Sequence, residues 1–325
     1  MNLWDMSDLA LPWSIRVVAT LRIADKMDAG ISDIDELAAA AKCNSGVLRG
    51  VLEFLVDKGL FEEPSPGRFR LNDAARGLIE PALQIGLDLN GIGGRMAGAW
   101  GTLLSYVRTG VPAYKEAFGL AFWEDLEAHP EIAASFDAMI GPQGHGNFNG
   151  DFEINGGWGA VRTVVDVGGG TGAMLAAILQ LRPSVCGVLV ELPRTVVRAG
   201  ETFRAAGVED RVKAVAQSFF DPLPSGADIY LLRGVLNNWA DAEARTLLSR
   251  CAEAARPGGR VVVLKSVSSD GTRHGLPISM LLVGGKDRSI TEFRSLAQQS
   301  GLQVVAAGQQ PSGYFVVECG PSSQT

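Results

Sequence analysis

The sequence is poor in the residues that build metal centres and covalent cross-links. It holds three histidines (His129, His145, His274) and four cysteines (Cys43, Cys186, Cys251, Cys319) in 325 residues. No two stand at metal-ligand spacing and no CxxC occurs, so a bound metal and a disulfide framework are not expected. Isolated thiols of this kind read as reduced, mostly buried side chains of a cytoplasmic protein. Positive charge is also scarce, with 29 Lys and Arg against 36 Asp and Glu and a formal net charge of −7. A nucleic-acid binder needs a basic face, and no Lys/Arg cluster offers one. No apolar run is long enough to span a bilayer, and the N-terminus has no basic region ahead of its apolar part, which argues against a membrane protein and a signal peptide. What is there is an ordinary soluble composition, 46% hydrophobic and 20% charged, in a chain long enough for two domains.

Residues 8–29 place Leu11, Ile15, Val18 and Ala19 at helical spacing against Arg16, Arg22 and Lys26. In "SDIDELAAAAK", Ser32 and Asp35 predict a capping box. Ser45 is the expected cap of a further helix bearing Val47, Leu48, Val51, Leu52 and Leu55 on one face. "GLFEEPSPGRFRL" reads as two short strands about a Pro/Gly turn. Helices followed by a hairpin make a winged-helix pattern over residues 1–95. Lacking a basic recognition helix, it reads as a packing or dimerisation module; a DNA-binding regulator is the alternative. Residues 96–150 are expected to form a helical connector rich in aromatics and methionine. Most of these side chains must be core, and a minority can line a flat apolar pocket. The segment 141–160 carries seven glycines and three asparagines, which no helix survives.

From residue 161 strands and helices alternate: "RTVVDV", "GVLVEL", "RVKAVA", "ADIYLLR" and "GRVVVLKS" are strands with helical segments between them. Their β-branched runs lack alternation, as a parallel sheet covered on both faces requires. "LQVVAAGQQPSGYFVVECG" predicts an antiparallel pair at the end. The expected fold class is α/β: a Rossmann-like domain over 151–325, with a mostly parallel sheet and an antiparallel C-terminal hairpin, beside a helical winged-helix region.

"DVGGGTGA" (166–173) joins the first of these strands to a helix, and Gly168, Gly170 and Gly172 allow a tight turn and close approach of a ligand. Glu191 ends the next strand, where a carboxylate can accept both ribose hydroxyls. A dinucleotide usually needs a second nucleotide-binding half, and the C-terminal half has no second glycine loop. A single nucleoside with an amino-acid tail fits better, which describes S-adenosylmethionine.

With these phrases, and with "SFFDPLP", "YLLRGVLNNWADAEA", "RPGGRVVVLKSV" and "MLLVGGKDRSITEF", nearly the whole chain resembles the class I S-adenosylmethionine-dependent O-methyltransferases of small molecules, the plant caffeate-type and bacterial antibiotic-tailoring enzymes. The resemblance implies a homodimer acting on a small aromatic substrate, without nucleic acid or membrane. It assigns Asp166 and the Gly168–Gly172 loop to the methionine end of the cofactor, and Glu191 with Leu192 to the ribose. Ser218, Phe219 and Trp239 are assigned to the adenine, and Arg233 to a further cofactor contact. It assigns Trp100, Phe122, Met139, His145, Asn238 and Met280 to the substrate. The catalytic positions become Asn237, Lys265 and Asp287.

There the sequence departs from the family. Asn237 stands where a His usually takes the proton of a substrate hydroxyl, and Lys265 where an acid commonly orients that His. An amide does not titrate in the useful range, so general-base help of roughly 10²–10⁴-fold is absent from Asn237. Its side chain can only donate and accept hydrogen bonds. Four readings follow. A positioned acidic phenol or electron-rich ring carbon reacts without an enzymic base, giving O- or C-methylation; or Lys265, with its pKa lowered by burial, is the base, unless it simply pairs with Asp287. Alternatively, the protein catalyses another class of reaction (cyclisation, hydroxylation or decarboxylation) with the cofactor bound, or it is an inactive homologue.

Overall fold

The structure, a computed structural model, describes residues 2–140, 148–272 and 278–322. His145 and His274 lie outside the described residues. The chain forms two compact units, one of residues 1–104 and 113–139, the other of residues 105–112 and 140–325.

The first unit is helical and carries a two-stranded antiparallel hairpin, β1 (Glu62–Ser65) and β2 (Arg68–Arg70). Its core takes Val18, Ala19, Leu48, Leu52 and Leu55 from the apolar positions read in the sequence, joined by Ile34, Leu37, Phe61 and Phe69, whereas Val47, expected on the same face, is 68% exposed. Burying such side chains stabilises by about 1.5–3 kcal/mol apiece. Both expected caps move by one residue. Asp33, not Ser32, caps the helix Ile34–Ala41, its carboxylate accepting the Asp35 and Glu36 N–H groups. Asn44, not Ser45, caps Ser45–Asp57 by accepting the Val47 N–H. An N-cap must be extended with its side chain aimed at the free N–H groups, and Asp33 and Asn44 have that backbone geometry. The single helix expected over 8–29 is two, Ala10–Thr20 and Ile23–Asp28, broken at Arg22, whose φ of 55° is left-handed.

The second unit is built on seven strands: β3 (Thr163–Val167), β4 (Cys186–Glu191), β5 (Val212–Ala216), β6 (Ile229–Arg233), β7 (Arg260–Leu264), β8 (Leu302–Gln309) and β9 (Phe315–Pro321). Their order is β5-β4-β3-β6-β7-β9-β8, parallel through β7 and antiparallel for the closing hairpin. Side chains of the central strands alternate between two cores. Val165, Val167, Tyr230, Leu232, Val261 and Val263 enter one, and Val164, Ile229, Leu231, Val262 and Leu264 the other. That two-sided burial is why the strands read as continuous apolar runs. The chain lays down β3, β4 and β5 in one direction and then returns to place β6 on the other side of β3. The crevice between β3 and β6, at their carboxyl ends, is the topological switch point where open α/β sheets bind ligands.

The thiols divide. Cys251 and Cys319 are buried, Cys43 is half-buried and Cys186 is exposed, so "mostly buried" holds for only part of the set. No helix among the described residues is long and apolar enough to cross a membrane.

Candidate active site at the sheet switch point

The loop after β3 is formed by backbone that only glycine tolerates well. Gly168, Gly170 and Gly172 have φ of 68°, 60° and 77°. A Cβ at Gly172 would lie 2.3 Å from the Phe203 ring, so this glycine lets the helix Ala173–Leu181 approach its neighbour. A Cβ at Gly170 would meet nothing within 4 Å, so the loop's tip faces open space. Gly169, which the spacing argument passed over, is pressed on Asp166: a Cβ there would stand 2.3 Å from Oδ2. The signal was the unbroken GGG itself.

Asp166 is 1% exposed, and neither of its carboxylate oxygens has a hydrogen-bond partner among the described residues. Burial pushes its pKa up to about 7, with Arg233 and the Leu175 backbone N–H pulling against the rise and Glu191 adding to it, so that Asp166 lacks only a close, well-aligned partner. Glu191 is turned onto the same loop. Its Oε2 accepts the Gly170 N–H at 3.1 Å and its Oε1 the Leu192 N–H at 2.7 Å. Phe219 lies beside Gly168 and packs edge-on to Trp239, with ring centroids 6.0 Å apart. Ser218 Oγ accepts the Phe220 N–H at 3.2 Å. Arg233, ending β6, places its guanidinium 4.1 Å from the Phe148 ring.

Asn237 and Asn238 stand on a 3-10 turn, Leu236–Asn238, that follows β6. Ser266 Oγ donates to Asn237 Oδ1 at 3.0 Å, and Asn238 Nδ2 donates to the Gly234 carbonyl at 3.1 Å. Lys265 follows β7 with a left-handed φ of 58°, rare for a residue with a side chain, and Ser266 after it is buried. Burial lowers the Lys265 pKa and Arg233 lowers it further, with Tyr314 opposing. The side chain is nonetheless exposed, its ammonium 5.8 Å from the Tyr314 ring. The lowered pKa runs in the direction that the base reading of Lys265 needs, while the exposed side chain keeps the ammonium within reach of water.

The turn is held by a residue that the sequence reading missed. Arg288 is 1% exposed and spends its donors on the turn and on the helix behind it. Nη1 donates to the Leu236 carbonyl at 2.8 Å and Nη2 to the Trp239 carbonyl at 2.8 Å, bracketing Asn237 and Asn238. Nε and Nη2 grip Asp241 Oδ1 at 3.0 and 2.9 Å. Lys286 adds its ammonium to Asp241 Oδ2 at 2.6 Å and its N–H to the Asn237 carbonyl at 3.0 Å. Burial raises the Asp241 pKa, but the hydrogen bonds from Lys286 and Arg288 outweigh it and the net shift is downward. In "GGKDRS" the residues flanking Asp287 thus anchor the site, with Asp287 half-buried between them. Met280 contributes its carbonyl, which accepts the Gly285 N–H at 2.8 Å and closes the loop before Lys286.

The second unit therefore gathers the glycine loop, Asp166, Glu191, Leu192, Ser218, Phe219, Arg233, Asn237, Asn238, Trp239 and Lys265 at the carboxyl ends of β3 to β7 or in the loops that follow them, with Asp287 in the segment that braces the turn. Trp100, Phe122 and Met139 belong to the first unit. There Phe122 is 3% exposed, among Tyr114, Trp123 and Phe136, while Trp100 is 47% exposed and Met139 half-buried.

The donor set fits S-adenosylmethionine. A partnerless buried carboxylate meets a cationic amino-acid tail, an open glycine loop gives close approach, a strand-end carboxylate suits a ribose, and an aromatic wall suits adenine. Comparison with known proteins agrees. The O-methyltransferase domain family matches residues 100–303. The chain belongs to the S-adenosylmethionine-dependent O-methyltransferase family. It is 39% identical over 309 residues to 2,7-dihydroxy-5-methyl-1-naphthoate 7-O-methyltransferase of Streptomyces carzinostaticus, covering 93% of this chain and 92% of that protein. It is 37% identical over 321 residues to aclacinomycin 10-hydroxylase RdmB of Streptomyces purpurascens, covering 95% and 85%. Among solved structures it is similar to NcsB1, an O-methyltransferase from neocarzinostatin biosynthesis in complex with S-adenosylmethionine and 2-hydroxy-5-methyl naphthoic acid. That likeness has a TM-score of 0.80 and 37% identity and spans 99% of both chains.

Two outcomes test this methyltransferase site. The pKa of Asp166 is raised in the folded protein from an unfolded value near 4 to about 7. The folded state holds that proton more tightly, so its contribution is full below about pH 4 and lost as pH climbs to about 7. Asp166→Asn should therefore stabilise the ligand-free protein above pH 7 in denaturant titrations while weakening S-adenosylmethionine binding in calorimetry. Arg288→Met leaves Asp241 short of a partner and two carbonyls unpaired, and should cost about 3 kcal/mol of stability in the same titrations. A loss below 0.5 kcal/mol would remove Arg288 as the brace of the turn.

Proposed function

We propose that this chain methylates a hydroxyl group of a small aromatic natural product, by positioning and electrostatics in place of a side-chain base. The single observation that carries the reading is the switch-point crevice, where an open glycine loop, the partnerless Asp166 and Glu191 converge. Bound S-adenosylmethionine supplies a methyl group on a positively charged sulfur. Asp166 and the Gly168–Gly172 loop hold the amino-acid end, Glu191 the ribose, and Phe219, Ser218 and Trp239 the adenine. Asn237 orients the acceptor by hydrogen bonding, on a turn that Arg288 keeps from shifting. Geometry of this kind can lower a barrier by roughly 7–11 kcal/mol when reacting groups are held in line, more than a missing base removes.

A second reading is favoured by one observation, the amide at position 237. In it the crevice binds the same cofactor but the reaction is of another class; one similar protein is named as a hydroxylase. Incubation with methyl-labelled S-adenosylmethionine and hydroxynaphthoates separates the two. The methyltransferase reading expects labelled ether and an equal amount of S-adenosylhomocysteine; a changed aromatic without S-adenosylhomocysteine rejects it. Gly170 has φ of 60° and faces open space, so Gly170→Val strains the loop and fills the approach. That variant should lose cofactor affinity at least tenfold, about 1.4 kcal/mol. Asn237→Ala should keep the affinity and lower turnover.

The protein is also proposed to be a cytoplasmic homodimer. Unpaired cysteines suit a reducing compartment. Leu3, Trp4, Met6 and Leu9, each at least 65% exposed, give the N-terminal helices an apolar face that a second copy would cover. Light scattering should report a dimer, and Trp4→Glu should shift it toward monomer.

A further inference from the structure

Asp166 is a carboxylate in surroundings that resist its charge. It is 1% exposed, and its neighbours on β3, Val165 and Val167, are buried with it. Gly169 is pressed on its Oδ2, and a Cβ at Gly169 would also stand 2.7 Å from the Leu189 side chain, so apolar packing closes this side of the group. Neither oxygen has a hydrogen-bond partner among the described residues. A charge or dipole acts on it from each of three elements. Arg233 of β6 and the Leu175 N–H of the helix Ala173–Leu181 draw it toward the ionised form, and Glu191 of β4 opposes them. Burial is the largest effect and leaves the pKa at about 7. A carboxylate buried without a close partner keeps its proton in preference to its charge.

The same loop holds a second group of this kind. Thr171 is 6% exposed, and its hydroxyl oxygen has no hydrogen-bond partner among the described residues either. Between Asp166 and Thr171 in the chain, Gly170 faces open space. The loop thus carries three buried side-chain oxygens without a hydrogen bond and an open tip. An ammonium has three donors, no acceptor and a full positive charge, which is what these oxygens lack. A neutral hydroxyl would leave the proton on Asp166. A cation in contact makes a carboxylic acid roughly 10–1,000 times stronger and drives the proton off.

We propose that Asp166 carries a proton until the cofactor arrives, and that the ammonium of the cofactor's amino-acid tail displaces it, so that cofactor binding releases a proton to solvent. The O–H bond of Asp166 breaks, the proton passes to water, and the ammonium becomes the charge partner of the carboxylate. No bond of the cofactor is made or broken. This rests on the S-adenosylmethionine reading above and names the exchange by which the crevice accepts that ligand. The cofactor meets the ionised form of Asp166, so its affinity is full above about pH 7 and falls as the pH drops below that value. Asp166 thereby favours a nucleoside whose tail carries an ammonium over one whose tail does not.

S-adenosylhomocysteine, whose tail bears the same ammonium, is titrated into the whole protein by calorimetry across about pH 5.5–8.5, in pairs of buffers with different ionisation enthalpies. The buffer dependence of the heat should report roughly 0.4–0.9 proton released per site at about pH 6 and no more than about 0.1 at about pH 8. Affinity should be roughly five- to tenfold weaker at the lower pH. Asp166→Asn should release no proton and bind with one affinity at both pH values. Glu191→Gln removes a charge that opposes ionisation of Asp166, and should still release a proton, though less of one at about pH 6. Adenosine, which has no ammonium, should bind equally at both. Binding of S-adenosylhomocysteine without proton release at about pH 6 overturns the exchange, as does release that persists in full in Asp166→Asn. Onset of the release outside about pH 6–8 in the unaltered protein overturns its assignment to Asp166 without any variant. Failure of S-adenosylhomocysteine to bind at any pH overturns the S-adenosylmethionine reading itself.

Discussion

The reversal of strand order between β3 and β6 is the constraint on which the rest depends. Helices that cover a parallel sheet leave a gap where consecutive crossovers part to opposite faces, and the loops bordering it cannot pack on each other. The sequence spends its least replaceable backbone there. Three left-handed glycines follow β3, and a left-handed lysine follows β7. The partnerless carboxylate of Asp166 lies beneath them, pushed up to about 7 by burial and so a burden on the ligand-free fold. Such a group is tolerated where a cationic ligand removes the strain by binding.

Rigidity on the other side of the gap comes from charge. Arg288 and Lys286 converge on Asp241, and the same two residues take carbonyls of Leu236 and Trp239 and of Asn237. A guanidinium 1% exposed would be costly alone, and it is stable because its carboxylate and carbonyl partners satisfy it. The turn of 236–238 is therefore fixed at both ends by hydrogen-bond donors. Between those ends, Ser266 and the Gly234 carbonyl fix the amides themselves.

Much of this was legible in the sequence. The order of strands and helices followed from β-branched runs without alternation. The glycine loop and Glu191 were singled out by their spacing, and the structure brings them together, Glu191 accepting the Gly170 N–H. Caps were misread by one residue at Ser32 and Ser45, because Ser, Asp and Asn all cap well and only the backbone angle at Asp33 and Asn44 decides among neighbours. Lys265, just after β7, has an exposed side chain whose pKa is still lowered by partial burial and by Arg233, and Ser266 after it is buried.

By itself, the sequence determined the sheet, its antiparallel closing hairpin and the left-handed glycine turn after its first strand, because each rests on short-range periodicity or on a local backbone requirement. Tertiary structure alone decided that Arg288 and not Asp287 braces the turn, that Ser266 reaches Asn237, and that Asp166 is buried without a partner. These are contacts between residues 29 to 52 positions apart, or the lack of one, and they depend on how strands lie beside each other. No local pattern records which of several nearby charges and hydroxyls will meet across a sheet.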